Sequence, residues 1–233
     1  MQQTAAEHRI RDMESTRSLS KEERDAAGII YPSMDDDRLL NVYRDLRNKL
    51  LKLSDYQNFV CLVSAIAPSD ETSLLALNLA AVMAFDRARS AIVIDCDTEE
   101  SIIDALAEMD HAQGGIIDFI DTGREDIGEL LHESGLDRVR IVPSGHHVET
   151  RTESLESEFM RQIVLELKAR YPDRYVFVNA PSLRLSSEVQ ILSNVCDFVL
   201  FQVRAGAVTE QQIGDAIEMI GPERVAGVVL RES

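Results

Sequence analysis

The sequence predicts an α/β fold: a doubly wound, mainly parallel sheet of about seven strands with helices on both faces, a three-layer αβα arrangement. Three observations carry this. Six short apolar runs alternate with helix-period segments along most of the 233 residues. The runs are apolar throughout instead of alternating with polar residues, so both faces of each strand are buried, as in a parallel sheet between helices. Hydrophobic residues make up 45% of the chain, enough for a sizeable core.

Residues 1–35 are polar and Arg/Glu-rich and read as a flexible N-terminal tail, with a transient helix at TRSLSKEERDAA that could order on a partner. Residues 36–233 then read as a single domain. Its start, Pro-Ser-Met-Asp-Asp-Asp at 32–37, supplies turn and helix-capping chemistry. Leu39, Tyr43, Leu46, Leu50 and Leu53 follow at spacings of four and three, an amphipathic interaction helix over 38–53. Strands are expected at 59–64, 91–95, 139–143, 175–180, 198–203 and 225–230. Helices are expected near 73–86, 99–109, 126–134, 155–170, 186–195 and 209–220. Ligands of such sheets bind beyond the carboxyl ends of the strands, so the residues after each strand are the informative ones.

Charge narrows the function. The formal net charge is −17, and residues 1–50 hold 9 basic and 10 acidic groups, leaving −16 for residues 51–233. A unit that acidic repels phosphate backbones, which disfavours nucleic acid and anionic lipid as direct ligands. No apolar run reaches the roughly 20 residues of a membrane span, and the first residues lack the apolar stretch of a secretion signal. A cytoplasmic chain without direct membrane insertion is expected. Cys61, Cys96 and Cys196 match no metal spacing and read as reduced thiols in or beside strands. His146 and His147 have no ligand-spaced companion, so no metal site is expected there.

The first strand runs into Pro68-Ser69-Asp70-Glu71-Thr72-Ser73 and an apolar helix. Strand, loop and helix have the outline of a phosphate-binding loop, whose glycines let backbone N–H groups wrap a phosphate and whose lysine and Ser/Thr serve phosphate and magnesium. This loop has no glycine and no lysine. The stretch resembles the bacterial tyrosine kinases (BY-kinases) of capsule and exopolysaccharide synthesis, within the deviant phosphate-loop (P-loop NTPase-like) ATPases that include division-site and partitioning proteins. Of that family's Ala-Pro-Gly-Glu-Gly-Lys-Ser-Thr and Asn-Leu-Ala pattern, this chain keeps Ala67, Pro68, Ser73, Asn78, Leu79 and Ala80. Thr72 stands at the lysine position and Glu71 at the second glycine.

The resemblance continues over residues 38–231. IVIDCD at 92–97 is similar to the second acidic motif, with Asp95 and Asp97 at the positions that handle magnesium and activate the acceptor hydroxyl. YVFVNAPS at 175–182 is similar to the third motif, with Asn179 at its aspartate position and Pro181 retained. Asn41 to Arg47 resembles the family's oligomerisation helix; Arg44 and Arg47 are kept and the glutamate is lost, so a homo-oligomer or partner contact is implied there.

The departures predict a degraded site. Thr72 offers a hydroxyl where the family has a cation, and Asn179 removes a carboxylate that would help hold magnesium. A carboxylate such as Glu71 about 4 Å from a phosphate charge costs roughly 4 kcal/mol at an effective dielectric of about 20, on the order of a thousandfold in affinity. The expectation is a non-enzyme, a pseudokinase-like chain with no cofactor and ATP/Mg binding weak or lost. A direct divalent-cation cluster of Asp70, Glu71, Asp95 and Asp97 is a lesser alternative to four solvated carboxylates. The last tyrosine is Tyr175, and the terminal tyrosine cluster of the family's autokinases is not seen.

Three functions compete. The leading one is a non-catalytic scaffold or regulator of bacterial polysaccharide assembly, recruited to the membrane's inner face by the cytoplasmic tail of a chain-length or export protein, which the resemblance implies as partner. The second is a divergent ATPase or tyrosine kinase that binds nucleotide unconventionally through Ser73, Asp95 and Asp97. The third is a degenerate positioning protein related to division-site ATPases; the Tyr43–Arg47 helix fits the polysaccharide family better.

Overall fold

The computed structural model describes residues 18–67, 72–97, 102–106, 114–123, 126–145, 158–170, 173–184 and 187–232. In chain order the elements are α1 (Lys21–Ala26), α2 (Asp37–Leu53), β1 (Val60–Ala65), α3 (Ser73–Ala84), β2 (Ser90–Asp95), α4 (Ile102–Leu106) and α5 (Ile116–Thr122). A 3-10 turn (Ile127–Leu130) leads to β3 (His132–Glu133) and β4 (Val139–Val142), then α6 (Glu158–Ala169), β5 (Arg174–Asn179) and α7 (Glu188–Ser193). The chain closes with β6 (Phe198–Arg204), α8 (Glu210–Ile220) and β7 (Val225–Arg231).

The seven strands form one sheet in the order β3-β4-β2-β5-β1-β6-β7. Every pairing is parallel except that of β3 with β4. Successive residues of a strand face opposite sides, and the core divides accordingly. Val60 and Leu62 of β1 join α5, α6, α7 and α8 on one side. Cys61 and Val63 join α2 and α3 on the other. Burial raises the Cys61 thiol well above its ordinary range, so it stays protonated and inert.

Helix α3 is buried on all sides, from Ser73 to Ala84 with Leu74 alone half-exposed. It lies between the sheet and α2, which is why SLLALNLAAVMA shows no polar face. Helix α2 is amphipathic and starts at the Asp36 cap, but its buried face differs from the expected stripe: Leu40, Leu50 and Leu51 are buried and Tyr43 and Leu46 half-buried, whereas Leu39 and Leu53 are exposed.

Two expectations need correction. Residues 18–35 are not a tail. Ser20 and Glu23 form a reciprocal capping box that starts α1, a Ser-x-x-Glu pattern present in the sequence. Gly28, at φ +68°, ends that turn, and Ile29 and Ile30 then enter the core at 1% exposure each. Two isoleucines after a glycine outweigh the polar composition before them. Residues 1–17 lie outside the described residues. The helix expected at 126–134 is instead the 3-10 turn plus the short antiparallel edge strand β3. Asp126 accepts from the Gly128 N–H at 2.9 Å, fixing a tight local turn that competes with an α-helix. Helix α5 falls between the expected helices, where the sequence pattern predicts none.

Candidate functional site

Strand β5 lies between β1 and β2, and its last residue, Asn179, is in register with Val63 on one side and Asp95 on the other. Parallel pairing therefore brings the second and third motifs together at the sheet's carboxyl edge. The Asn179 Nδ2 donates to Asp95 Oδ1 at 2.8 Å, and the Thr72 hydroxyl donates to Asn179 Oδ1 at 2.7 Å. Thr72, Asp95 and Asn179 are 3%, 0% and 1% exposed. Asp95 Oδ1 also accepts from the Asp97 backbone N–H at 3.0 Å.

Two of the residues that depart from the resembled pattern, Thr72 and Asn179, thus bond to each other. An Asn amide is suited to this position because it accepts and donates at once. Thr72 occupies the N-cap of α3, yet its side chain makes no capping bond; the hydroxyl is used on Asn179. The sequence carried no signal for this contact, since the partners are 107 residues apart.

Ser73, buried, opens α3, where backbone N–H groups and the helix dipole favour an anion. Pro181 is buried beyond β5, and its carbonyl accepts from the Ser64 hydroxyl at 2.6 Å. Ser182, which the motif reading passed over, is 8% exposed and its hydroxyl has no hydrogen-bond partner among the described residues. Pro68, Ser69, Asp70 and Glu71 lie outside the described residues, as do His146 and His147. The four-carboxylate cluster therefore reduces here to Asp95 and Asp97. Those two offer the hard oxygens magnesium prefers, with one Asp95 oxygen already accepting two hydrogen bonds.

Arg44 and Arg47 stand apart from this edge, on α2. Arg44 bonds to Asn41 Oδ1 at 3.3 Å, whereas Arg47 reaches across to the Val82 carbonyl of α3 at 3.3 Å. Partial burial pulls the Arg47 guanidinium below its ordinary value. Arg47→Ala should therefore cost about 1 kcal/mol of folding stability. A melting-point decrease of roughly 3 °C is expected from that loss, and an unchanged melting point would mean the contact contributes nothing.

No protein-family model matches the chain. The tyrosine-protein kinase CpsD of Streptococcus agalactiae is 20% identical over 184 residues, which is 78% of each chain. The chain is a relative of the bacterial tyrosine kinases. The solved kinase domain of the Escherichia coli tyrosine kinase ETK superposes with a TM-score of 0.72 at 18% identity, covering 82% of this chain and 74% of that one. A ParA family ATPase from Chlorobium tepidum superposes at 0.57 with 12% identity over 75% and 74% of the two chains. These likenesses show the three-layer phosphate-loop fold.

The kinase relatives correct the expectation of a non-enzyme. Proteins matched along most of their length are named as kinases, and no observation on the described residues shows that activity is lost. The departures behind that expectation are Glu71, Thr72 and Asn179; Ser73, Asp95 and Asp97 are retained. Among the described residues no helix is long and apolar enough to cross a membrane.

Proposed function

We propose that this kinase relative acts in the assembly of a bacterial capsule or exopolysaccharide, beside a membrane chain-length or export protein whose cytoplasmic tail recruits it to the inner face of the membrane. Within that role it is a divergent phosphoryl-transfer protein that holds nucleotide weakly. The observation that supports the reading most is the alignment with CpsD over 78% of both chains. Asp95 and Asp97 at the end of β2 and Ser73 at the start of α3 are the groups that would serve magnesium and phosphate. Thr72 in place of a cation forgoes a charge-assisted bond of about 2 kcal/mol, roughly thirtyfold in affinity.

Calorimetric titration with ATP and ADP in magnesium, with Asp95→Asn alongside, tests the reading. Weak binding is expected in the parent chain, together with radiolabel transfer to a tyrosine-containing acceptor, and both should fall in the variant. No heat and no transfer at millimolar nucleotide would overturn the enzymatic part. Deletion of the gene without any change in surface polysaccharide would overturn the cellular part.

A further inference from the structure

A cavity of about 260 Å³ lies at the opposite end of the molecule from the candidate site, where α3 finishes at Ala84 and β4 begins at Val139. Its charged lining is three arginines, Arg24, Arg87 and Arg138, and one carboxylate, Asp137. In a chain of net charge −17, that local excess of cations needs a reason. We propose that this cavity is a binding site for a small phosphate-bearing anion.

Each arginine contributes differently. Arg138 sits at φ +59°, a backbone conformation disfavoured for a residue with a side chain. One of its terminal nitrogens donates to the Ala84 carbonyl at the end of α3. Its Nε is buried with no hydrogen-bond partner. A buried guanidinium donor without an acceptor has lost water and gained nothing, a cost that an entering oxyanion would remove. Arg87 makes no hydrogen bond or ion pair among the described residues, and its neighbour Asp86 is taken by Arg89 at 3.1 Å. Arg24 is held in place: its Nε donates to the Leu19 carbonyl at 3.0 Å and a terminal nitrogen to Ser18 Oγ at 3.3 Å.

Capping of the α3 carboxyl terminus accounts for one bond of Arg138. It leaves the buried Nε of Arg138 unexplained. Planar guanidinium forks suit tetrahedral oxyanions better than a single point charge does. Size and lining define the ligand further. The volume falls just below the usual range for cofactor-sized pockets, which favours a small ligand. Ile30, Pro32 and Phe85 supply an apolar wall against which the carbon skeleton of a phosphate ester could rest. The shared chemistry is the phosphate group, whether it arrives as inorganic phosphate or on a small sugar.

Thermal shift and calorimetry on the full chain decide the matter, using inorganic phosphate and glucose 1-phosphate as probes with Arg87→Gln and Arg138→Gln. The expected result is saturable binding of at least one probe, weakened at least tenfold in both variants. Tighter binding of glucose 1-phosphate would identify an ester site; equal or tighter binding of inorganic phosphate would identify a site for the free ion. Arg138 contacts α3 and its loss could unfold the chain, so the exposed Arg87→Gln carries the decision in that case. No binding of either probe, or binding that Arg87→Gln leaves unchanged, overturns the proposal. Neither failure would touch the kinase-related reading, which rests on the other edge of the sheet.

Discussion

Asn179→Asp is expected to lower stability sharply at neutral pH and to regain most of it in mild acid. The substitution replaces the amide that donates to Asp95 Oδ1 at 2.8 Å with a second carboxylate, in a place where both positions are at most 1% exposed. Two unit charges about 4 Å apart repel by about 4 kcal/mol at an effective dielectric of about 20. The folded variant must bear that repulsion or hold a proton between the two groups. Holding the proton raises a folded-state pKa above the unfolded carboxylate value. Stability is then fully present below the unfolded value and is lost as pH rises through the raised one. Melting curves at pH 5 and pH 8 should therefore diverge for Asn179→Asp. Asn179→Ala, which removes both hydrogen bonds but adds no charge, should show a deficit of about 2 kcal/mol at either pH. Equal stability of Asn179→Asp at the two pH values would mean the side chains do not meet. Millimolar magnesium supplies the remaining comparison: a cation held by both carboxylates would stabilise the variant at pH 8 by more than it stabilises the parent.

That experiment concerns the part of the site the sequence could not display. The strands were legible because buried parallel strands are apolar throughout, and β1, β2, β4, β5, β6 and β7 fall within a residue or two of the expected runs. The positions of Asp95 and Asn179 at strand ends were legible for the same reason. Their mutual contact was not, because it depends on β5 inserting between β1 and β2, an order no local pattern encodes. Thr72 read as a missing lysine; in the fold it is a hydrogen-bond donor to Asn179. Judged one position at a time, both substitutions looked like losses, and together they form a complementary pair. The edge strand β3 escaped because two residues are too few for any period. The bond from Arg47 to the Val82 carbonyl likewise depends on the packing of α2 on α3, which no local pattern encodes. The N-terminal segment differs for another reason: composition averaged over thirty residues hides Ile29 and Ile30, whose backbone is tied to α3 by Asn78.

Asn78→Leu should release that segment. The Asn78 Oδ1 accepts from the Ile30 N–H at 3.0 Å, while its Nδ2 donates to the Gly28 carbonyl at 3.0 Å and to the Tyr43 hydroxyl at 3.3 Å. One side chain thereby joins the N-terminal segment, α2 and α3 inside an otherwise apolar layer. Leucine has a similar volume and would be welcome in that layer by transfer energy alone, so the sign of the effect is informative. If residues 18–35 were a loosely attached arm, Asn78→Leu would be neutral or stabilising. With the segment packed, it strands the Ile30 N–H and the Gly28 carbonyl without partners, at about 1–3 kcal/mol each. A net loss of about 3 kcal/mol corresponds to a melting-point decrease of roughly 9 °C. Hydrogen exchange localises the cause, since the Ile30 amide should change from protected to fast while β1 and β5 amides move only with global stability. Asn78→Asp separates acceptor from donor: it can still receive the Ile30 N–H but cannot donate to Gly28, and it adds a buried charge that weakens it further as pH rises. Because Arg24 and Ile30 belong to the same segment and line the arginine cavity, releasing it should also weaken phosphate binding there, whereas a substitution confined to Asp95 or Asn179 should not.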